Sequence, residues 1–368
     1  MIDRRTCVLA VCLLVAAAAS AVDIDLGTSA TTGAPDFRTA GVMAFGPNGV
    51  LFVADSAAAA IYAIDTGEQA AGHAAGKIDV EGIDRRIASM MGTTPDSVVI
   101  HDVAVNPVSR RAWLTVSRGA GADTENAIFT VGTDGEITAV DLSGMRHARA
   151  NIGNAPAADA KDRRGGSLRI QAITDLAFID DKLLVTGLSN EEFSSKLRAI
   201  DFPFSDVSPG TSVEIYHGAH GRWETYAPVR TFATYDVGTA PYVLAAYTCT
   251  PLVRFSLDDL KEAGGKVAGT TVAELGNRNR PLDMVIYTKG GQDYVLMANS
   301  ARGVMKIELA DLEDVDAIEA RIADTAGLPY ETISHLEGVE HLDRLGEDHA
   351  LLLVGDDNGK HLRTVVLP

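Results

Sequence analysis

The chain has 368 residues, 46% of them hydrophobic, with 50 acidic against 32 basic side chains and a formal net charge of −18. That balance excludes the basic footprint that nucleic-acid binding needs; it disfavours anionic membranes and polyanionic substrates and concentrates cations. Three cysteines are too few for a disulfide framework, so an ordinary apolar core must hold the chain together, which its length permits.

The chain opens on two arginines, Arg4 and Arg5, followed by a nearly pure apolar run over residues 7–19 and by Ala19-Ser20-Ala21. This order matches the charged, apolar and small-residue regions of a secretory signal, expected over residues 1–21. Cys12 as an acylated residue is a weaker reading, because Val11 is a poor neighbour for it. No later run is long and apolar enough to cross a bilayer. The expectation is a secreted or periplasmic protein, a single domain over residues 22–368 and a monomer. Cys249 would then stand alone, most simply as a small buried residue.

Beyond that point, short apolar runs alternate with Gly, Pro, Asn and Asp, and they fall into pairs. Gly41-Val-Met-Ala-Phe precedes Val50-Leu-Phe-Val-Ala-Asp, and Asp102-Val-Ala-Val-Asn-Pro precedes Ala112-Trp-Leu-Thr-Val-Ser. Asp175-Leu-Ala-Phe-Ile leads to Lys182-Leu-Leu-Val-Thr-Gly, and Thr231-Phe-Ala-Thr-Tyr to Tyr242-Val-Leu-Ala-Ala-Tyr. Asp283-Met-Val-Ile-Tyr leads to Tyr294-Val-Leu-Met-Ala-Asn, and Gly338-Val-Glu-His-Leu to Ala350-Leu-Leu-Leu-Val-Gly. A polar turn and a third strand follow each pair, as in Ala60-Ile-Tyr-Ala-Ile-Asp. Helical patterns are few: residues 81–91, a short turn near 256–263, and 311–326.

Six units with strands apolar on both sides predict an all-β, six-bladed β-propeller of four-stranded antiparallel blades, with a few short helical insertions. A twisted sheet with two apolar faces is covered only when neighbours pack against both, and ring closure leaves no blade uncovered. A sandwich would show cleaner alternation, with one solvated face. Residues 67–97, 154–167 and 209–226 read as excursions between blades that could cover one face of the disc.

These units resemble those of the NHL-repeat, YncE-like and SMP-30/gluconolactonase propellers. There an Asp or Gly opens an inner strand like Asp102-Val-Ala-Val-Asn-Pro, and a segment like Gly49 to Asp55 follows. The resemblance spans nearly the whole chain after the leader and implies the fold more than an activity. It also implies a divalent ion in the channel mouth, held by a Glu, two Asn and an Asp. This sequence departs from that set, with Thr39-Ala40-Gly41 in place of the Glu and Asp102 and Asp175 in place of Asn.

In a propeller, inner-strand starts and second-strand ends meet on one face. Asp102, Asp175, Asp283 and Glu337 are therefore the candidate ligands for Ca2+ or another divalent cation, which prefers oxygen donors. Each Asp has a structural reading as well, capping a turn through backbone N–H groups. His101, Arg118, Asn190, Arg230, Cys249, Arg280, Asn299 and Arg302 form the candidate binding rim. Arg280 and Arg302 read as neutralising Asp283 and nearby acids, or as a grip for a carboxylate. His217 and His220 have a spacing that could hold zinc, but read as surface histidines. A Cys249–His101 pair would make a thiolate nucleophile if the two met. Tryptophans number only two, unlike quinone-cofactor propellers, which repeat them. The expected function is a binding or scaffold propeller that presents its channel face to a small-molecule ligand or protein partner. The alternative is a divalent-metal hydrolase of the lactonase kind, with Asp283 or Glu337 as general base.

Overall fold

The computed structural model describes residues 24–68, 70, 76–119, 124–205, 207–237, 240–249, 251–261 and 265–368. The expected leader at 1–21, with Cys7 and Cys12, lies outside the described residues. Six sheets form a six-bladed β-propeller, and the six paired runs of the sequence are the inner two strands of each blade. In the first blade, Met43–Phe45 pairs with Val50–Asp55 and that with Ala60–Asp65. The second runs Val98–Val105, Ala112–Arg118, Glu125–Val131 and Ile137–Ala139. Inner strands of the remaining blades are Asp175–Ile179, Thr231–Val237, Pro281–Lys289 and Val339–Arg344. Second strands are buried along nearly their whole length: Val50–Asp55 has no exposed residue, as packing on both faces requires.

The blades do not follow one another around the ring in chain order. Inner strand Met43–Phe45 packs between Val98–Val105 and Asp175–Ile179, while Val98–Val105 packs on its other side against Val339–Arg344. The circular order is therefore first, third, fourth, fifth, sixth, second. Six apolar clusters fill the six seams between neighbours in that order. One joins the second blade to the sixth through Val103, Leu114, Leu351 and Leu353. Another joins the first blade to the third through Val50, Phe52, Leu183 and Val185.

Two outer edges are completed by chain that belongs, by sequence, elsewhere. After the first blade's third strand, Val80 exchanges backbone hydrogen bonds with Leu362 of the sixth blade at 3.0 and 2.9 Å. The Ile78 amide donates to Thr364 Oγ1 at 2.7 Å and the Thr364 amide to Asp79 Oδ1 at 2.8 Å. A helix, Ile83–Met90, then packs against Gly359–Val366 and delivers the chain to the second blade. Only after that blade does Arg146–Asn151 return to pair with Ala60–Asp65 and finish the first sheet. The region at 67–97, read as an insertion, thus contains a clasp that holds the sixth blade.

The other excursions also differ from the sequence reading. Residues 209–226 supply Thr211–His217 and Arg222–Glu224, the outer hairpin of the third blade. Lys266–Ala268 joins the first of these strands in parallel. The helix expected at 311–326 does not form. Its amides are engaged by neighbouring elements instead: Ile318 N–H donates to the Thr271 carbonyl at 2.9 Å, and Ile322 N–H to the Gly218 carbonyl at 3.0 Å. Leu312 and Ile318 are buried, so the apolar spacing serves packing beneath an irregular segment. Short helices do occur at Ile83–Met90 and Leu257–Lys261, where the pattern placed them.

Ile78 is fully buried in the seam cluster between the second and sixth blades. Replacing Ile78 with Ala should lower unfolding free energy by about 2–5 kcal/mol, the usual cost of such a truncation, measured by urea denaturation. A loss below about 0.5 kcal/mol, the range of an ordinary surface substitution, would show that the clasp does not hold the ring.

Candidate functional site: a carboxylate-lined channel

All six inner strands line a central cavity of about 530 Å³. Its wall carries Asp102, Asp175, Asp283 and Asp343 together with the apolar Met43, Leu176, Phe232 and Met284. Each aspartate uses both carboxylate oxygens on backbone. One accepts from the next residue's N–H: Val103 to Asp102, Leu176 to Asp175 and Met284 to Asp283 at 2.8 Å, and Arg344 to Asp343 at 2.7 Å. The other oxygen reaches the neighbouring blade. Asp102 accepts from Met43 N–H at 2.6 Å and Asp175 from Phe232 N–H at 2.8 Å. Asp283 accepts from Leu342 N–H at 2.9 Å and Asp343 from Val105 N–H at 2.7 Å. Four of the six seams are stapled in this way, all in the same rotational sense. A carboxylate has about four lone-pair sites, so acceptor capacity remains toward the cavity.

A histidine stands among these acids. In the second, fifth and sixth blades the inner strand is bulged by one residue against its partner, between Ile100 and Asp102, Pro281 and Asp283, and Val339 and His341. His341 thus occupies the position that Asp102 and Asp283 hold in their own blades. The ring order seats it between them, with Nδ1 3.4 Å from Asp102 and 3.8 Å from Asp283. These three residues offer ligand atoms within 4.8 Å of one another. His101 lies beside them; its Nε2 shares a 2.7 Å hydrogen bond with Ser117 Oγ. Burial, and then the nearby His341, push the His101 pKa down.

The acids respond to the same surroundings. Desolvation pushes Asp175 up to about 7 and Asp343 up to about 6, and in both the Asp102 charge adds to the rise. Asp283 is raised well above the usual carboxylate range by desolvation and by the charges of Asp102 and Asp175. Backbone N–H donors oppose these shifts without cancelling them.

The structure brings together Asp102, Asp175 and Asp283, but not Glu337. Glu337 lines a different cleft, with Asn299, Gly338, Glu340 and Asp356; the further channel carboxylate is Asp343. Rim candidates are spread among local duties. Arg118 pairs with Glu125 at 2.6 Å, and Asn299 Oδ1 caps the Ala301 N–H at 3.1 Å. Arg302 donates to the Asn277 carbonyl at 3.3 Å and stands 3.9 Å from Asp324, so it neutralises that residue rather than Asp283. Arg230 donates to Thr248 Oγ1 at 3.0 Å, and its pKa is lowered to about 10, first by burial and then by Arg280. Arg280 N–H binds Ser300 Oγ at 2.9 Å. Asn190 N–H donates to the Asn154 carbonyl at 2.7 Å. Cys249, half-buried with φ of 66°, donates its amide to the Asn279 carbonyl at 2.9 Å. His217 is 3% exposed and not a surface residue.

His341 and Asp343 do not stand out in the sequence. The one signal for them is that Glu340-His-Leu-Asp343 falls where the other units carry their inner-strand Asp. A bulge shifts that register by one residue, and only pairing reveals it.

No family model matches the chain, and no curated protein is significantly similar to it. Solved structures do match. One is a putative oxidoreductase (glucose dehydrogenase) from Thermus thermophilus, 13% identical over 91% of this chain and 99% of that one, with a TM-score of 0.35. A second glucose dehydrogenase is 11% identical over 92% and 99%, with a TM-score of 0.37. The PQQ-bound aldose sugar dehydrogenase of Streptomyces coelicolor is 14% identical over 91% and 97%, with a TM-score of 0.32. Likeness at this level says nothing of activity, and the resemblance to NHL-repeat, YncE-like and SMP-30 propellers likewise stands for the fold alone.

Two measurements follow from the staples. Asp175→Ala leaves two inward N–H groups without an acceptor and should cost about 2–6 kcal/mol in urea unfolding, since each orphan costs about 1–3 kcal/mol. Asp175→Asn keeps an acceptor and buries no charge, and should cost less. Second, carboxylates raised on folding add stability that is fully present below their unfolded pKa and is lost as pH rises through the folded value. For Asp175 and Asp343 that window runs from about pH 4 to about 7 and about 6. Metal-free protein should become less stable across it as pH rises. A stability curve that climbs from about pH 5 to about 7.5, and does so equally in the Asp175→Asn variant, would contradict these shifts.

Proposed function

We propose that this protein is an exported ligand-binding propeller that takes a small cation, first of all a divalent one, into its central channel. The observation that supports this most is the group Asp102, Asp283 and His341, which points three ligand atoms at one small volume beside two further raised carboxylates. A cation there would relieve the repulsion and desolvation that raise these acids; mixed oxygen and nitrogen donors suit a transition-metal cation such as manganese, whereas calcium would use the carboxylate oxygens alone. The loop-bearing channel face would then present the loaded site to a small molecule or a protein partner. Export rests on the leader-like residues at 1–21.

A second reading shares the same three residues. An ion bound there would polarise a carbonyl or acidify a water molecule, as an ion-dependent hydrolase requires.

The test is a pair of melting curves at about pH 7.5, one with EDTA and one with millimolar Ca2+ or Mn2+. Ligand at about a hundred times its Kd stabilises by about 2.7 kcal/mol, so Tm should rise by several degrees. The rise should shrink toward about pH 5, where protons occupy the same carboxylates, and should be lost in His341→Ala combined with Asp283→Asn. Identical curves with and without ions near neutral pH would end the proposal. Ion-stimulated turnover of simple lactones would favour the hydrolase over the binding reading.

A further inference from the structure

The outer hairpin of the third blade holds a second group of ligating side chains, far from the channel in character. His217 closes Thr211–His217, His220 sits in the turn, and Glu224 ends Arg222–Glu224. The two strands pair in register, His217 opposite Arg222 and Ile215 opposite Glu224, which brings all three side chains to one end of the hairpin. His217 Nδ1 lies 3.0 Å from Glu224 Oε2 and His220 Nδ1 2.7 Å from Glu224 Oε1. The imidazole rings are 3.9 Å apart, and the three ligand atoms lie within 4.8 Å of one another.

Two buried atoms beside this cluster lack partners. His217 Nε2 and Glu274 Oε2 are both sealed from solvent with no hydrogen bond among the described residues, in side chains only 3% and 1% exposed. Glu274 comes from the fourth blade. Its other oxygen accepts the Gly218 N–H at 2.5 Å, and its charge interacts with His217 and Glu224. Glu224 is answered in part by the exposed Arg222, 3.2 Å away, and by the Tyr226 hydroxyl, which donates to it at 3.3 Å. Among the described residues no lysine or arginine pairs with the buried Glu274 behind it.

We propose that His217, His220 and Glu224 bind a zinc ion through His217 Nδ1, His220 Nδ1 and a Glu224 oxygen. Glu274 supplies the neighbouring negative charge, and the remaining position is open to solvent. Zinc favours two or three such N and O donors in a tetrahedron at about 2.0–2.1 Å, which places ligand atoms about 3.3 Å apart. The contacts now made, His220 Nδ1 to Oε1 at 2.7 Å and His217 Nδ1 to Oε2 at 3.0 Å, use different oxygens of Glu224, and the whole set already lies within 4.8 Å, so small side-chain rotations admit the ion. His220 is the entry side, with its side chain 45% exposed. Zinc on Nδ1 fixes the His217 proton on Nε2, the tautomer that metal-bound imidazoles steady with a nearby carboxylate. A site with one solvent-facing position can hold water or a ligand's oxygen, so it is separate in chemistry from the oxygen-rich channel.

The full-length protein, stripped with a chelator and dialysed, is titrated with ZnCl2 against a chromophoric zinc indicator. At least one zinc per chain is expected in the wild type, and one in His341→Ala, where the channel group has lost its nitrogen ligand. His220→Ala, at an exposed turn, should fold normally by circular dichroism and bind at least about tenfold more weakly, the usual scale for a lost metal-site partner. Glu224→Gln should do the same, and His341→Ala should keep the hairpin zinc. Failure of the wild type to bind zinc overturns the proposal, as does unchanged binding in His220→Ala. Loss of the zinc in His341→Ala with retention in His220→Ala would assign the ion to the channel and equally overturn it.

Discussion

One interaction sets the geometry on which everything else in this molecule depends. An aspartate on an inner strand grips its own next N–H with one oxygen and a N–H of the adjoining blade with the other. Inner strands have no further strand on their channel side, so their inward N–H groups would otherwise be orphaned in a desolvated wall. Only a carboxylate offers an acceptor on both arms. Asp175, Asp283, Asp343 and Asp102 meet this need at four seams, from third to fourth, fifth to sixth, sixth to second and second to first. The seam between first and third blades uses apolar matter instead: Phe52 stacks on Phe178 at 5.5 Å and meets Phe202 edge-on at 5.0 Å.

The unusual ring order is what gives the channel its chemistry. With blades arranged in chain order, the second blade would sit beside the third, and Asp102 would face Asp175 across a seam. Here the clasp at Ile78–Val80 ties the chain to the sixth blade before the second is built, and the second blade lands next to the sixth. His341 is thereby set between Asp102 and Asp283. A pairing event close in sequence to the first blade decides which titratable groups meet across 238 residues of chain, as the bond from Val105 to Asp343 shows.

The blades were legible because burial on both faces leaves a local mark: runs such as Val50-Leu-Phe-Val-Ala and Leu351-Leu-Leu are apolar at every position, whatever their neighbours. Asp102, Asp175 and Asp283 were legible for a related reason, since the staple repeats with the strand that carries it. Ring order is not local. It rests on Val80 meeting Leu362, a contact that no window of sequence contains. Residues 311–326 mislead in the opposite way. Leu312, Val315 and Ile318 have helix-like spacing, yet Thr271 and Gly218 offer carbonyls to the amides of that segment, and tertiary hydrogen bonds prevail over weak helix propensity. His217 reads as a surface residue because Gly218 and Gly221 flank it, yet it is buried, and the adjoining Gly218 N–H binds Glu274 of another blade.

Position 341 separates a structural account of the channel from a functional one. If the inner-strand acids served only to hold blades together, the residue after the bulge in the sixth blade would be aspartate, as at Asp102 and Asp283. Histidine cannot accept two N–H groups in that way, and the staple has moved two residues on, to Asp343, which takes the Val105 N–H. The fold thus keeps its seam while freeing one wall position for a side chain that offers a nitrogen ligand. Under the proposed cation binding, protons and cations would compete for one set of carboxylates. Acid would fill the channel with protons and alkaline conditions with a cation, and either occupant lifts the cost of charge that the staples impose on this wall.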